Sequence, residues 1–158
     1  MELQMASISG EQLVWLFDRV LRESNVFPSE LNYIVEYDTG TLVSDPVECK
    51  SIKRILNVNH QRGRPIVVGY VKSNVGHLKP AVGIISLIKV AYALKHNLIP
   101  PTISAHTLNP RIDMKALNLK IATQIQSLPV ASNENQPRTG TVSAFEFREI
   151  HSFYMNNY

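Results

Sequence analysis

Residues 81–94 read AVGIISLIKVAYAL, apolar at nearly every position and broken only by Gly83, Ser86 and Lys89. The run falls short of the roughly 20 residues that a membrane span needs. It has no polar face wide enough to meet water, so it reads as a helix buried on every side. Such a helix needs a layer above and a layer below it. The few short strands offered by the rest of this 158-residue chain cannot easily supply both. The chain is therefore expected to be part of something larger.

Around that helix the pattern alternates. Leu13, Leu16, Val20 and Leu21 fall at helical spacing after a possible Ser9 cap, giving an amphipathic helix over 9–24. A short strand over 32–37 runs into the turn Asp38-Thr39-Gly40-Thr41, and Asp45-Pro46 then reads as an N-cap with proline at the first helical position, opening a helix to about Leu56. Residues 66–71 form an apolar strand, 72–80 a loop and 81–96 the buried helix, which Pro100-Pro101 ends. Further strands are expected at 117–123, 140–147 and 151–155. Strands alternating with helices make this an α/β layered fold.

Composition limits the function classes. With 44% hydrophobic and 18% charged residues, the chain belongs with globular proteins and not with disordered or coiled-coil ones. Sixteen Lys plus Arg against 13 Asp plus Glu leave a net charge of +3, too weak a footprint for nucleic acid despite a pI of 9.1. Cys49 is the only cysteine, which excludes an internal disulfide and fits a reducing compartment. The first ten residues carry Glu2 and neither a basic nor an apolar leader segment, so a cytoplasmic location is expected. No period of 20–50 residues repeats.

Four ordered motifs point to one family. The run Val71-Lys72-Ser73-Asn74-Val75-Gly76-His77 resembles the Lys-Ser-Asn-x-Gly-His motif of β-ketoacyl synthases, and YIVEYDTGTLVSDPVE over 33–48 is similar, without a gap, to that family's YVEAHGTGTxxGDPIE. Pro100-Pro101-Thr102 and Asn109-Pro110-Arg111-Ile112-Asp113 resemble the segment after the buried helix in polyketide-synthase ketosynthases. Ser143-Ala144-Phe145-Glu146-Phe147-Arg148-Glu149 stands where the family has SSFGFGG. A lone SNxGH is weak, but four motifs in order with compatible spacing are specific. The resemblance implies the C-terminal half of a thiolase-like α/β fold, a mixed sheet with a buried helix and covering helices. Residues 1–8 form an N-terminal extension, 9–147 the ketosynthase half and 148–158 a divergent tail in which His151 has no catalytic part. The family's N-terminal half, with the nucleophilic cysteine, has no counterpart here.

The family's chemistry is acyl transfer followed by decarboxylative Claisen condensation: a cysteine thiolate takes the acyl group, and two histidines help decarboxylate a malonyl extender. The resemblance assigns His77 to the second histidine and Lys72 to the motif lysine. Tyr37 stands at the first histidine, and a phenol of pKa about 10 cannot carry an imidazole's role unchanged. Thr39 and Thr41 match threonines that touch the phosphopantetheine arm of an acyl-carrier protein. Asp45 and Glu48 match acidic residues that support the lysine network, and the Phe147 amide matches an oxyanion-hole donor. The substitutions Glu146, Arg148 and Glu149 bring side chains where the family keeps glycine, for positive φ or close approach. Cys49 sits in a predicted helix without the family's small-residue elbow and reads as a packed core residue.

Besides acyl transfer without elongation, by a split ketosynthase that has lost only its first histidine, two functions remain open. One is a partial ketosynthase of the polyketide or fatty-acid acyltransferase family, inactive alone and binding no cofactor of its own. The other is a non-catalytic module that binds an acyl-carrier protein or complements a separately encoded N-terminal half, with no nucleic acid and no membrane span involved.

Overall fold

The computed structural model describes residues 9–37, 44–56, 64–76, 78, 81–103, 109–129, 137–146 and 149–157. Among these residues lie four α-helices, α1 (Gly10–Glu23), α2 (Ser44–Leu56), α3 (Lys72–Val75) and α4 (Val82–His96), a 3-10 turn at Pro28–Glu30, and seven strands: β1 (Tyr33–Glu36), β2 (Ile66–Tyr70), β3 (Leu98–Ile99), β4 (Leu119–Ile121), β5 (Gln126–Ser127), β6 (Arg138–Glu146) and β7 (Glu149–Asn157). The main sheet has the order β4-β2-β1-β6-β7, and β3 pairs with β5 separately. β1 runs parallel to β2 and to β6, and β2 parallel to β4. β7 closes the edge antiparallel to β6, in register from Arg138↔Asn157 to Glu146↔Glu149.

Period-two alternation sorts the strands onto two cores. Ile34, Ile66 and Val68 share one cluster with Leu13, Phe17 and Leu21 of α1 and Ile52, Ile55 and Leu56 of α2. Tyr33, Val35, Val67 and Val142 share the other with Val82, Val90, Ala93 and Leu94 of α4. Helix α4 sits close on β6: a Cβ placed on Gly140 would meet Val90 Cγ1 at 2.6 Å, so only glycine lets the two backbones approach this far.

Several expectations need correction. Helix α4 is not buried on every side: Val82, Ser86, Val90, Ala93 and Leu94 are covered, whereas Ile84, Ile88 and Tyr92 stand 66%, 46% and 61% exposed. Ile85 and Leu87 are half-buried. Hydropathy counts apolar residues around a helix, but one sheet can cover only one of its faces. Ser9 does occupy the N-cap position of α1, yet its side chain makes no capping bond; its carbonyl accepts the Leu13 N–H at 3.2 Å. Asp45 lies within the first turn of α2 and not ahead of it, where its charge favours the helix N-terminus through the macrodipole. The 72–80 stretch, read as loop, begins with the helical turn α3. The expected 117–123 strand shortens to β4, and the last two lengthen into β6 and β7. The terminal segment that departs from the family in sequence thus pairs along its whole described length. Glu146 ends β6 and Glu149 begins β7 in extended strand, a conformation any residue adopts, so the loss of glycine at these two positions imposes no left-handed backbone.

Candidate active site

Parallel strands bring their C-terminal ends to one edge of a sheet, the place where open α/β sheets gather functional side chains. Here β1 delivers Tyr37, β2 feeds Val71 into the turn that carries Lys72, and β6 delivers Ser143. Helix α2 supplies Glu48 and Cys49 from beneath.

The Lys72 ammonium lies 3.7 Å from the centroid of the Tyr37 ring, over its face. The aromatic quadrupole attracts a cation in that position. Glu48, 2% exposed, meets the backbone of the same tyrosine: its Oε1 accepts the Tyr37 backbone N–H at 3.0 Å and the Ser143 hydroxyl at 2.6 Å. Tyr37 is therefore the meeting point, holding Lys72 with its ring and Glu48 with its amide. Asp45 contributes a negative charge one turn earlier on α2.

Cys49 is fully buried beside Glu36, whose two carboxyl oxygens each lie 3.7 Å from the thiol that donates to them. Burial first, then the charges of Glu36 and Glu48, the hydrogen bond to Glu36 and the charge of Asp45 push this thiol well above the ordinary 9.0. A thiolate nucleophile needs the opposite environment. Cys49 is a packed residue, as its helical setting suggests.

The α3 turn ends at Gly76, whose φ of +77° and ψ of −174° belong to a region that side chains exclude. That gives the motif glycine a backbone reason at this position. Asn74, to which the motif gives no role, and Lys89, which lies outside the motif, bond to each other at this turn, with Lys89 Nζ donating to Asn74 Oδ1 at 2.7 Å. Ser143 and Glu36 likewise stand inside quoted motifs with no role assigned to them; a polar residue inside an apolar strand is the available signal. His77, Thr39, Thr41 and Phe147 lie outside the described residues. Asn109 and Asp113 act locally: their side-chain oxygens accept the Arg111 and Ala116 N–H groups at 3.0 and 2.9 Å, and Ile112 packs against the α1–α2 core.

Comparison with known proteins decides the family. The model of the β-ketoacyl synthase C-terminal domain matches residues 2–106, two thirds of the chain. The chain belongs to the β-ketoacyl synthase family. Its sequence is 43% identical over 110 residues, 70% of the chain, to probable polyketide synthase 17 of Dictyostelium discoideum. It is 38% identical over 124 residues, 78% of the chain, to the polyketide synthase GfsA of Streptomyces halstedii. The chain spans only 4% and 2% of those two relatives. Ketosynthase twelve of the bacillaene polyketide synthase from Bacillus amyloliquefaciens superposes with a TM-score of 0.89 and 26% identity over 99% of the chain, which covers 28% of that structure. The oxazolomycin ketosynthase domain OzmH KS7 of Streptomyces albus JA3453 gives 0.88 and 26% over 95% of the chain, which covers 27% of that structure. The fold is thus a ketosynthase fold of thiolase-like type, and this chain is its C-terminal part. Among the described residues, no helix is long and apolar enough to cross a membrane.

Proposed function

We propose that the chain supplies the C-terminal half of a polyketide-type ketosynthase site and does not by itself condense acyl and malonyl thioesters. The observation that carries this reading is Tyr37 beneath the Lys72 ammonium at 3.7 Å, at the position where the family motif has its first histidine. A phenol held there can donate one hydrogen bond, but it lacks the imidazole's second nitrogen and its titration near neutral pH. The buried, proton-retaining Cys49 adds support, because it offers no thiolate to take an acyl group. In this reading Lys72 and His77 remain as the motif pair, Thr39 and Thr41 face the phosphopantetheine arm of an acyl-carrier protein, Phe147 supplies an amide at the oxyanion position, and Asp45 and Glu48 fix the network around Lys72.

The test is turnover of an acyl thioester with a malonyl thioester by the purified chain, expected to equal a boiled control. Tyr37→His is expected to leave it there, since residues that act as a unit are not restored singly. Turnover in either protein sinks the proposal. So does stoichiometric acylation of Cys49 detected by intact mass, which makes acyl transfer without elongation the better reading.

The exposed stripe Ile84, Ile88 and Tyr92 favours a second reading, a module that is complemented by a cysteine-bearing ketosynthase half or docks a carrier protein. Co-purification with such a half, and appearance of acylation only in the pair, would favour complementation over a solitary function.

A further inference from the structure

Lys89 lies in the middle of the apolar helix α4, and two uncharged groups receive its ammonium: the Tyr70 carbonyl at 2.8 Å and Asn74 Oδ1 at 2.7 Å. Asn74 uses its other end as well, donating Nδ2 to the Pro101 carbonyl at 3.2 Å. With Lys89 occupying the amide oxygen and Pro101 the amide nitrogen, only this orientation of the Asn74 amide satisfies both. The turn so held is α3, which a four-residue helix cannot hold by itself, because nucleation costs more than one turn of bonds returns. Its own backbone bonds are few: Asn74 and Val75 N–H to the Val71 carbonyl at 2.9 and 3.2 Å, and Gly76 N–H to Lys72 at 2.8 Å. Its first residue is Lys72.

We propose that Lys89 is a positioning residue for the site: reaching from α4 through Asn74, it holds the α3 turn in the orientation that lays Lys72 over the Tyr37 ring. A methionine at position 89 would fill the same apolar stem space without burying a charge. Burial alone draws the Lys89 amine down from the ordinary 10.5 to about 8, and among the described residues no carboxylate stands against it to offset that burial. An unpaired, half-buried ammonium on a core helix is retained at an energetic disadvantage, and the two bonds into the motif turn are what it gains. The inference rests on Lys72 being part of the site, but its test needs no turnover.

The readout is the ε-methylene proton shift of Lys72 in the isotopically labelled full chain. Protons above an aromatic face move upfield, and Tyr37→Leu defines the unshifted position. Lys89→Met and Asn74→Ala are each expected to bring the Lys72 signal to the Tyr37→Leu position and to speed amide exchange of Val75 and Gly76 by about tenfold relative to the sheet amides. The double variant is expected to go no further than either single one, as two parts of one link should. Asn74 is exposed, so Asn74→Ala keeps the test open even where Lys89→Met does not fold. An unchanged Lys72 shift in Asn74→Ala, or additive effects in the double variant, overturns the proposal. If Tyr37→Leu itself leaves Lys72 unmoved in the parent, the Lys72–Tyr37 contact fails, and with it both the site reading and this inference.

Discussion

The two faces of the main sheet differ in how they are finished. On one, α1 and α2 lie side by side over Ile34, Ile66 and Val68, with Leu13, Phe17, Ile52 and Cys49 all at most 1% exposed. On the other, α4 packs over Tyr33, Val35 and Val142 with Ile99, Ala122 and Leu128 at its margin, and turns Ile84, Ile88 and Tyr92 outward. Spaced four residues apart, these three line one side of the helix. The first face is a core covered by two helices, whose outer side is mostly polar apart from Trp15. The second is an apolar layer with protein on one side only, which is what the middle layer of a larger stack looks like when the described residues supply half of it.

The largest effect expected from this contrast is on stability. Phe17→Ala, in the two-helix core at 1% exposure, should cost about 3–5 kcal/mol through lost burial and a residual cavity. That is a large share of the roughly 5–15 kcal/mol typical of a domain, so urea unfolding should show a strongly lowered midpoint or no folded baseline. A cost under about 1 kcal/mol would mean that this face repacks freely and is not the covered core described above.

Next in size is the polar joint at the sheet edge. Glu48→Gln keeps the shape but weakens the acceptor shared by the Tyr37 N–H and the Ser143 hydroxyl at 3.0 and 2.6 Å. A loss of about 1–3 kcal/mol is expected, with Ser143→Ala partly redundant to it. Full additivity of the two in denaturant unfolding would show that the shared oxygen is not their common anchor.

How much of this was legible in the sequence follows from what each signal measures. Apolar runs marked β1, β2 and α4, and helical spacing marked α1, nearly to the residue, because strands buried on both faces and a helix packed on a sheet all demand apolar side chains. The motif run assigns Tyr37, Lys72 and Glu48 to one site, and the geometry brings them together around Tyr37. Spacing could not show that Lys72 would rest on the ring of Tyr37, since that contact joins two strands neighbouring only in the folded sheet. Nor could it show Lys89 bonding to Asn74, fifteen residues away across a turn. The all-round burial of α4 was misjudged for a related reason: an apolar surface calls for cover without saying that the same chain provides it.

Alkaline pH sharpens the contrast, because each face buries a titratable group that the other lacks. Lys89, on the α4 side, has its folded value drawn down to about 8 against 10.5 ordinarily, so between those values the unfolded chain binds more protons and stability rises with pH. Cys49, on the α1–α2 side, has its value raised above 9.0; the folded chain then holds a proton the unfolded one has released, and stability falls as pH climbs past about 9. The buried Tyr33 phenol, also raised, adds to the fall above about 10. Unfolding free energy should therefore increase from pH 8 to 9, level off while the Lys89 and Cys49 slopes oppose each other, and turn down above about pH 10. Lys89→Met should remove the rise and Cys49→Ala should blunt the fall. A parent profile flat from pH 8 to 9, or a Cys49→Ala profile that falls as steeply as the parent's, would mean that the group concerned is solvated in the folded chain.

The smallest stability effect should come from the outward stripe of α4. Ile84→Gln, Ile88→Gln and Tyr92→Gln replace exposed side chains with a good helix former, so each should alter unfolding free energy by no more than about 0.5 kcal/mol. Association is where they should act. The parent chain is expected to bind hydrophobic dye and to self-associate in size-exclusion chromatography with light scattering, as an uncovered apolar patch does, and the triple variant to lose most of both. The two readings of the stripe then separate by magnitude. A side chain covered by its own chain would forfeit roughly 1.5–3 kcal/mol on replacement, and three such losses would leave little of the domain folded. A triple variant that unfolds in this way, or a parent that is a monodisperse monomer without dye binding, would mean that α4 is already closed over within the chain. Retained stability with lost association would instead identify the stripe as the face that a further layer is built to cover.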